Sequence, residues 1–258
     1  MRALVTGAGK RLGRAMALYL AEHGHDVAVH YATSDDGAME VVEKIRAMDR
    51  KAEALQADLL NEAAVKGLVA RAANALDGPL TCLVNNASIF DYDNIQTATR
   101  DSWDRHFESN LRAPFVLTQD FAAQVPAPKA DAQDEPLAQG LVINMIDQRV
   151  RKLTPEFMTY TLAKAGLWTL TQTAAQALAP RVRVNAIGPG PTLRGARQST
   201  DHFARQRAAT VLSRGANEDD ICAALGYFLN APAITGQLLC VDGGQHLAWQ
   251  TPDVLGVE

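Results

Sequence analysis

Short apolar runs alternate with longer amphipathic stretches from the first residues onward. The runs predict strands at Arg2–Thr6, Asp26–Tyr31, Ala52–Ala57, Cys82–Asn85, Gly140–Met145, Arg183–Ile187 and Gln237–Val241. Between them, apolar residues spaced for one helical face predict helices at Arg11–Glu22, Asp36–Met48, Glu62–Ala75, Trp103–Gln124, Phe157–Leu178, Thr200–Leu212 and Glu218–Leu229. Nearly continuous apolar strands separated by helices imply a parallel sheet covered on both faces. Seven of them predict an α/β, Rossmann-type, doubly wound seven-stranded parallel sheet. The pattern contains no internal repeat and no break, so residues 1–258 read as a single domain.

Two segments fall outside the pattern. Residues 125–138 begin Val125-Pro-Ala-Pro and run to Pro136 through Ala and Asp, which predicts an exposed, mobile insertion. The second, 188–214, opens with Gly188-Pro-Gly-Pro191 at the carboxyl end of a strand, the edge where such sheets bind ligands. It predicts a lid over substrate.

Composition narrows the function classes. Net charge is −4 with no long run of either sign, which argues against a nucleic-acid binder. No apolar run reaches the roughly 18 residues of a membrane span. Met1-Arg2 leads straight into the first strand, leaving no room for a signal peptide. The expectation is a cytoplasmic protein. Cys82, Cys222 and Cys240 are scattered and read as small buried residues of a reducing compartment. Neither CxxC nor HExxH occurs, so a metal site has no support.

The first turn, Val5-Thr6-Gly7-Ala8-Gly9-Lys10-Arg11-Leu12-Gly13, closes a strand and opens a helix. Glycines there let backbone approach a pyrophosphate, whose charge suits the helix N-terminus. Gly7, Gly9, Leu12 and Gly13 are therefore cofactor-binding candidates. A NAD site usually carries an acid about 20 residues on. Here the second strand ends His30-Tyr31-Ala32-Thr33-Ser34, without one. Lys10 or Arg11 could face a 2′-phosphate, with Thr33 and Ser34 donating to it. NADP is favoured; Asp35 and Asp36, close by, read as N-cap or first-turn acids. Asp58, followed by Leu59, ends the third strand and could contact adenine or cap the next helix. Asn86 and Ala87 end the fourth, where small and amide side chains can pass close to a cofactor. Asn110, polar within an apolar helical stretch, needs a partner: a backbone carbonyl, a water in a proton path, or a helix-packing contact.

Tyr160-Thr-Leu-Ala-Lys164 places a phenol and an ammonium on one helical face. A nearby lysine charge favours the phenolate and brings proton exchange nearer neutral pH. Asp147 ends the strand in Asn144-Met-Ile-Asp147, thirteen residues upstream. Asp147 could instead be a loop or capping acid, and Phe90 a core residue.

Taken together, the Thr6–Gly13 turn, Asn85-Asn86-Ala87, Asn110, Tyr160/Lys164, Arg183-Val-Asn185 with Pro189-Gly190, and Val241-Asp-Gly-Gly244 resemble the short-chain dehydrogenase/reductase family. The resemblance implies a nucleotide across the carboxyl edge of the sheet, with Tyr160 as acid/base. It implies that Lys164 binds the nicotinamide ribose and lowers the tyrosine's pKa, and that Asn110 holds a water relay. Pro189 and Gly190 join the cofactor set, and a homotetramer is implied, with Trp103–Gln124 and Phe157–Leu178 as interface candidates. Within the family the chain looks most like the pteridine reductase and dihydromonapterin reductase branch. Lys10-Arg-Leu-Gly13, with Arg11 for the usual glycine, His30-Tyr31 with Ser34, Asn86-Ala-Ser-Ile-Phe90 and Asp147 all match it.

That branch implies NADPH-dependent reduction of a C=N bond in a pterin-like ring. Phe90 would stack on the ring, Arg11 touch its edge, and Tyr160 and Asp147 deliver the proton. Ala32-Thr33 departs from the basic residues of close relatives, which implies a weaker phosphate grip. The segment after Pro191 and the tail from Gln245 do not match closely; Trp249 there could pack on a neighbouring subunit, close the pocket, or lie on the surface. Other readings are a carbonyl reductase or alcohol dehydrogenase on the same scaffold, or a regulator that binds NADP without turnover.

Overall fold

The computed structural model describes residues 1–195 and 197–250. Seven parallel strands form one sheet: β1 (Arg2–Val5), β2 (Asp26–Tyr31), β3 (Ala52–Gln56), β4 (Cys82–Asn85), β7 (Gly140–Met145), β8 (Val182–Pro189) and β9 (Leu238–Val241). β5 (Lys129–Ala130) and β6 (Pro136–Leu137) pair antiparallel in a small separate hairpin. The sheet order is β3-β2-β1-β4-β7-β8-β9. All seven predicted strands are present. The inner strands are apolar on both sides because both sides are covered: Ala3, Leu4 and Val5 of β1 are all fully buried, whereas the edge strand β3 exposes Glu53 and Gln56.

The two faces hold separate cores. On one, Val5, Val27, Val29 and Ile143 pack with Met16 and Leu20 of α1 (Arg11–Glu22), Val41 and Ile45 of α2 (Asp35–Arg46), and Leu225 and Phe228 of α9 (Glu218–Asn230). On the other, Leu4, Leu83, Val142 and Val184 pack with Leu68 of α4 (Leu68–Ala75) and Leu117 and Phe121 of α6 (Ala113–Gln124). α7 (Met158–Leu178) completes this second face through Ala174 and Ala175.

Three helices differ from their predicted outlines. The stretch Glu62–Ala75 divides into α3 (Glu62–Val65) and α4, because Gly67 takes φ +91° and ends the first turn. The helix expected from Trp103 starts earlier, as α5 (Arg100–Phe107), where Thr99 and Ser102 form a capping box. It runs into α6 through a π-helical turn at Glu108–Arg112 that contains Asn110. The last, α8 (Thr200–Ala208), is shorter than expected and buries none of its residues. The insertion at 125–138 is exposed over most of its length, as expected, but carries the β5–β6 hairpin.

Strand order reverses direction between β1 and β4. Their carboxyl ends therefore open a crevice, the place where doubly wound sheets bind ligands.

Candidate active site

The crevice is built from the ends of β1 and β4. Thr6 Oγ1 accepts hydrogen bonds from the amides of Asn86 (2.9 Å) and Ala87 (3.0 Å), and Asn86 Nδ2 donates to the Thr6 carbonyl (2.8 Å). These bonds fix the glycine turn to the fourth strand. Gly13 has no room for a side chain: a Cβ would lie 2.3 Å from the Gly7 carbonyl oxygen and 2.5 Å from Asn86 Nδ2. Gly37 presses as closely on Gly9, where its Cβ would meet a carbonyl oxygen at 2.4 Å. Gly7 turns through φ +63° and is held by His30, whose Nδ1 accepts from the Gly7 amide at 3.0 Å. His30 Nε2 lies 3.1 Å from the Ala57 carbonyl, so the ring is neutral with its proton on Nε2. Burial agrees, lowering its pKa to about 4.

α1 begins at this turn with no side-chain cap at Lys10 and no acid in its first turn. Its unpartnered amides and positive end suit an anion, so the turn could hold the pyrophosphate of a dinucleotide. Lys10 and Arg11 are exposed at the turn, and Ser34 and Thr33 stand before α2. Asp35 and Asp36 lie in the first turn of α2. The Asp35 carboxylate beside the Tyr31 hydroxyl raises the tyrosine's pKa.

The capping alternative for Asp58 needs correction. Asp58 does not cap the next helix, because Asn61 does so by accepting from the Ala63 amide. Asp58 accepts instead from the Leu60 amide at 3.0 Å and is exposed. Leu59 places its side chain in the core at 7% exposure, so only its backbone can face a ligand. Leu12 and Ala87 likewise turn their side chains toward core clusters.

Asn110 is fully buried in the π turn. Its Nδ2 donates to the Ile89 carbonyl (2.8 Å) and its Oδ1 accepts from the Ile89 amide (2.9 Å). A backbone carbonyl, one of the partners expected for it, is in place. The π turn shifts the helical register where this amide must face the strand-end loop.

Tyr160 and Asp147 meet: the phenol donates to Asp147 Oδ2 at 3.0 Å. Asp147 Oδ1 accepts from the Arg149 amide at 2.8 Å, so this residue is both a cap of the 148–150 turn and the tyrosine's partner. Lys164 is 2% exposed; its Nζ donates to the Met145 carbonyl at 2.7 Å and lies over the Tyr160 ring, 5.7 Å from the centroid. Among the chain's own groups the lysine does not dominate the phenol's pKa. Burial raises Tyr160 well above the usual phenol value, and the Asp147 charge and hydrogen bond raise it further. This departs from the sequence expectation because a carboxylate, not the ammonium, touches the hydroxyl. Burial raises Asp147 too, opposed by the Arg149 amide and charge. Burial lowers Lys164 to about 8, with Asp147 holding it up.

Phe90 is 43% exposed and is not core. Its ring stacks on Phe157 (4.3 Å, 10°) and meets Tyr160 edge-on (4.6 Å, 67°). Phe157, read from sequence as the first helical residue, precedes α7 in a left-handed conformation, φ +57°. Arg11 is also left-handed, φ +54°, at a strain of roughly 1–2 kcal/mol for a residue with a Cβ. Its guanidinium donates to the carbonyls of Leu193 (3.1 Å) and Arg194 (2.9 Å), tying the 188–214 segment across the turn. Gly190 packs on Asp242, where a Cβ would lie 2.5 Å from Asp242 Cβ, and its amide donates to Val241.

Sequence reasoning missed Asp93, His106, Arg149, Phe157 and Arg197. Asp93 is 1% exposed and caps α7 from outside: its Oδ1 accepts from the Thr159 amide at 3.1 Å, and its Oδ2 from the hydroxyls of Ser102 (3.0 Å) and Thr159. His106 Nδ1 joins the cluster at Thr159 Oγ1, 2.7 Å. The missing signal was a helix start at Met158 without a capping side chain of its own. Burial raises the thiols of Cys82 and Cys222 to about 12 and Cys240 to about 11, which favours the protonated form at neutral pH. Among the described residues no group of three or more His, Cys, Asp or Glu is placed to hold a metal ion.

The short chain dehydrogenase profile matches residues 1–204. The chain belongs to the short-chain dehydrogenase/reductase family. Among solved structures of this family, FolM alternative dihydrofolate reductase 1 from Brucella suis, in complex with NADP, is 43% identical with a TM-score of 0.91, covering 98% of each chain. A short chain dehydrogenase from Burkholderia cenocepacia, also in complex with NADP, is 32% identical with a TM-score of 0.85, covering 96% of this chain and 98% of that one. The 3-oxoacyl-[acyl-carrier-protein] reductase FabG of Staphylococcus aureus is 33% identical over 250 residues, 95% of this chain and 98% of that protein. Family membership makes the chain an oxidoreductase.

Proposed function

We propose that this reductase uses NADPH to reduce a C=N bond in a pterin-like heterocycle of the dihydropterin or dihydrofolate type. The observation that carries the reading is the Tyr160–Asp147 hydrogen bond set beside the exposed Phe90 face. A ketone needs one hydrogen-bond donor at its oxygen. An aminopyrimidine ring presents paired N–H donors and basic nitrogens, which a carboxyl group can bind and relay protons to. The 43% identity to an NADP-bound FolM protein supports both the cofactor and the ring.

The crevice fits the cofactor: the uncapped α1 terminus and the crowded Gly13 and Gly9–Gly37 contacts leave bare backbone for a pyrophosphate. Lys10, Tyr31, Thr33 and Ser34 would hold the 2′-phosphate of the bound cofactor, and Lys164 its nicotinamide ribose. When bound, NADPH supplies the hydride. Tyr160 gives its proton to a ring nitrogen, directly or through Asp147. Lys164 orients the ribose and offers a positive charge beneath the phenol. Asn110 fixes Ile89, and with it Phe90, against the ring. Phe90 stacks on the flat ring so that a ring face is presented to the hydride, and Arg11 reaches its edge. The 188–214 segment, held by Arg11, serves as the lid that excludes water.

A second reading, reduction of a 3-oxoacyl thioester or another ketone, is favoured by the similarity to FabG. NADPH oxidation with dihydrobiopterin, dihydromonapterin, dihydrofolate, simple ketones and a 3-oxoacyl thioester separates the two. Turnover confined to the ketones and thioester overturns the pterin assignment.

The molecule works as a cytoplasmic homotetramer in this proposal. No helix among the described residues is long and apolar enough to cross a membrane. Phe115, Leu170, Ala174 and Leu178 line a groove of about 250 Å³ between α6 and α7, an apolar face suited to a second copy.

A further inference from the structure

We propose that Arg197, with Arg149, forms a subsite for a carboxylate-bearing substituent on the flat ring, so that the enzyme prefers pterins with an anionic tail. The inference rests on the pterin reading and names its substrate class more closely. Arg197 Cζ lies 5.6 Å from the Phe90 centroid and 5.8 Å from that of Phe157. Arg149 Cζ approaches the same Phe157 ring at 5.1 Å. Two guanidiniums therefore converge on the aromatic pair that faces Tyr160.

Neither cation is well matched by negative charge. Arg197 has one ion pair among the described residues, at 3.9 Å to Asp91 Oδ1, and Arg105 also draws on Asp91 at 3.6 Å. Arg197 also donates to the Phe90 carbonyl, which fixes the group at the ring without neutralising it. Arg149 has no carboxylate within 4.0 Å among the described residues, and its Nε is buried without a hydrogen-bond partner. A buried guanidinium N–H left unpaired is costly, and an acceptor brought in by a ligand removes that cost.

Among the described residues, neither Arg11 nor Arg194 lies over the Phe90 or Phe157 ring. Arg11 donates to two carbonyls and Arg194 to the carbonyl of Gln198. Arg197 also has access, since 54% of its side chain is exposed. A planar guanidinium beside an aromatic face matches a substrate whose flat ring stacks on the phenylalanine while its carboxylate meets the fork. In a chain of net charge −4, this cationic rim at the mouth of an aromatic site selects for anions.

The test compares two ligands with the same ring: methotrexate, whose tail carries two carboxylates, and neutral 2,4-diamino-6-hydroxymethylpteridine. Both are titrated by fluorescence quenching into the NADPH complex of the natural protein and of Arg197→Gln and Arg197→Lys. The expected result is that Arg197→Gln weakens methotrexate about three- to fivefold more than the neutral pteridine, as befits a half-exposed charge pair. Arg197→Lys keeps most of the preference. Raising ionic strength erodes the preference in the natural protein and not in Arg197→Gln. Equal losses for the two ligands, or a preference indifferent to salt, overturn the subsite while leaving the pterin assignment standing. Binding of neither ligand removes the pterin assignment and the subsite with it.

Discussion

Asn110→Leu is the most searching perturbation of the scaffold beneath the ring-binding face. The asparagine is fully buried and spends its amide on one residue, accepting from the Ile89 N–H at 2.9 Å and donating to its C=O at 2.8 Å. Leucine has similar volume and satisfies neither group. Two orphaned backbone groups cost about 2–4 kcal/mol, at the lower end because Ile89 is only half-buried. The added apolar burial of leucine offsets about 1 kcal/mol. The net loss is about 1–3 kcal/mol, which for a chain of this length lowers Tm by roughly 2–12 °C. Chemical denaturation measures the first and a thermal scan the second. The consequence for catalysis is separate: Phe90 follows Ile89, so the ring platform loses its anchor. A misplacement approaching 1 Å lowers kcat/KM by up to about a hundredfold. Unchanged stability together with full turnover would refute the idea that Asn110 acts through Ile89.

Tyr160→Phe removes the proton donor and lowers kcat by about 10²–10⁴-fold, while NADPH affinity, measured by fluorescence, holds. Gly13→Ala forces a Cβ to within 2.3 Å of the Gly7 carbonyl oxygen; the turn must open, and NADPH binding measured by calorimetry falls sharply or the protein loses stability. Burial lowers His25 and His30 from 6.5 to about 4, so both are neutral in the fold at pH values where the unfolded chain takes up protons. Their contribution is complete above pH 6.5 and is lost as pH falls toward 4, by about 3 kcal/mol each at most. Urea unfolding at pH 7.5 and 4.5 measures it, and His30→Asn flattens part of the slope; equal stability at the two pH values refutes the assignment.

Much of this architecture was legible because a parallel sheet covered on both faces writes itself as apolar runs. All seven strands fall within a few residues of their predicted bounds, and α1 matches at both ends. Residues tied to local motifs were legible too: the glycine turn, Tyr160 with Lys164, and Asp147 at a strand end. What the sequence hid was long-range. Asp93 caps α7 from a loop 66 residues away, so no local capping signal betrays it. Phe157 looked like a helical residue, and only its left-handed backbone turns the ring onto Phe90. The phenol's pKa ran opposite to expectation because helical spacing reveals the lysine, whereas the carboxylate at 3.0 Å arrives through the sheet. A strand-end position also does not say which face a side chain takes, and that of Leu59 turns into the core.

The central claim is that Asp147 makes this scaffold a reductase of pterin-like rings. Its most direct test is kcat/KM for dihydropterin and for a small ketone, with NADPH, in the natural protein and in Asp147→Ser. The account predicts that the natural protein strongly prefers the dihydropterin, and that the serine variant loses that turnover by tenfold or more on the scale of general acid catalysis while retaining or gaining activity on the ketone. Undiminished dihydropterin reduction by Asp147→Ser would contradict it.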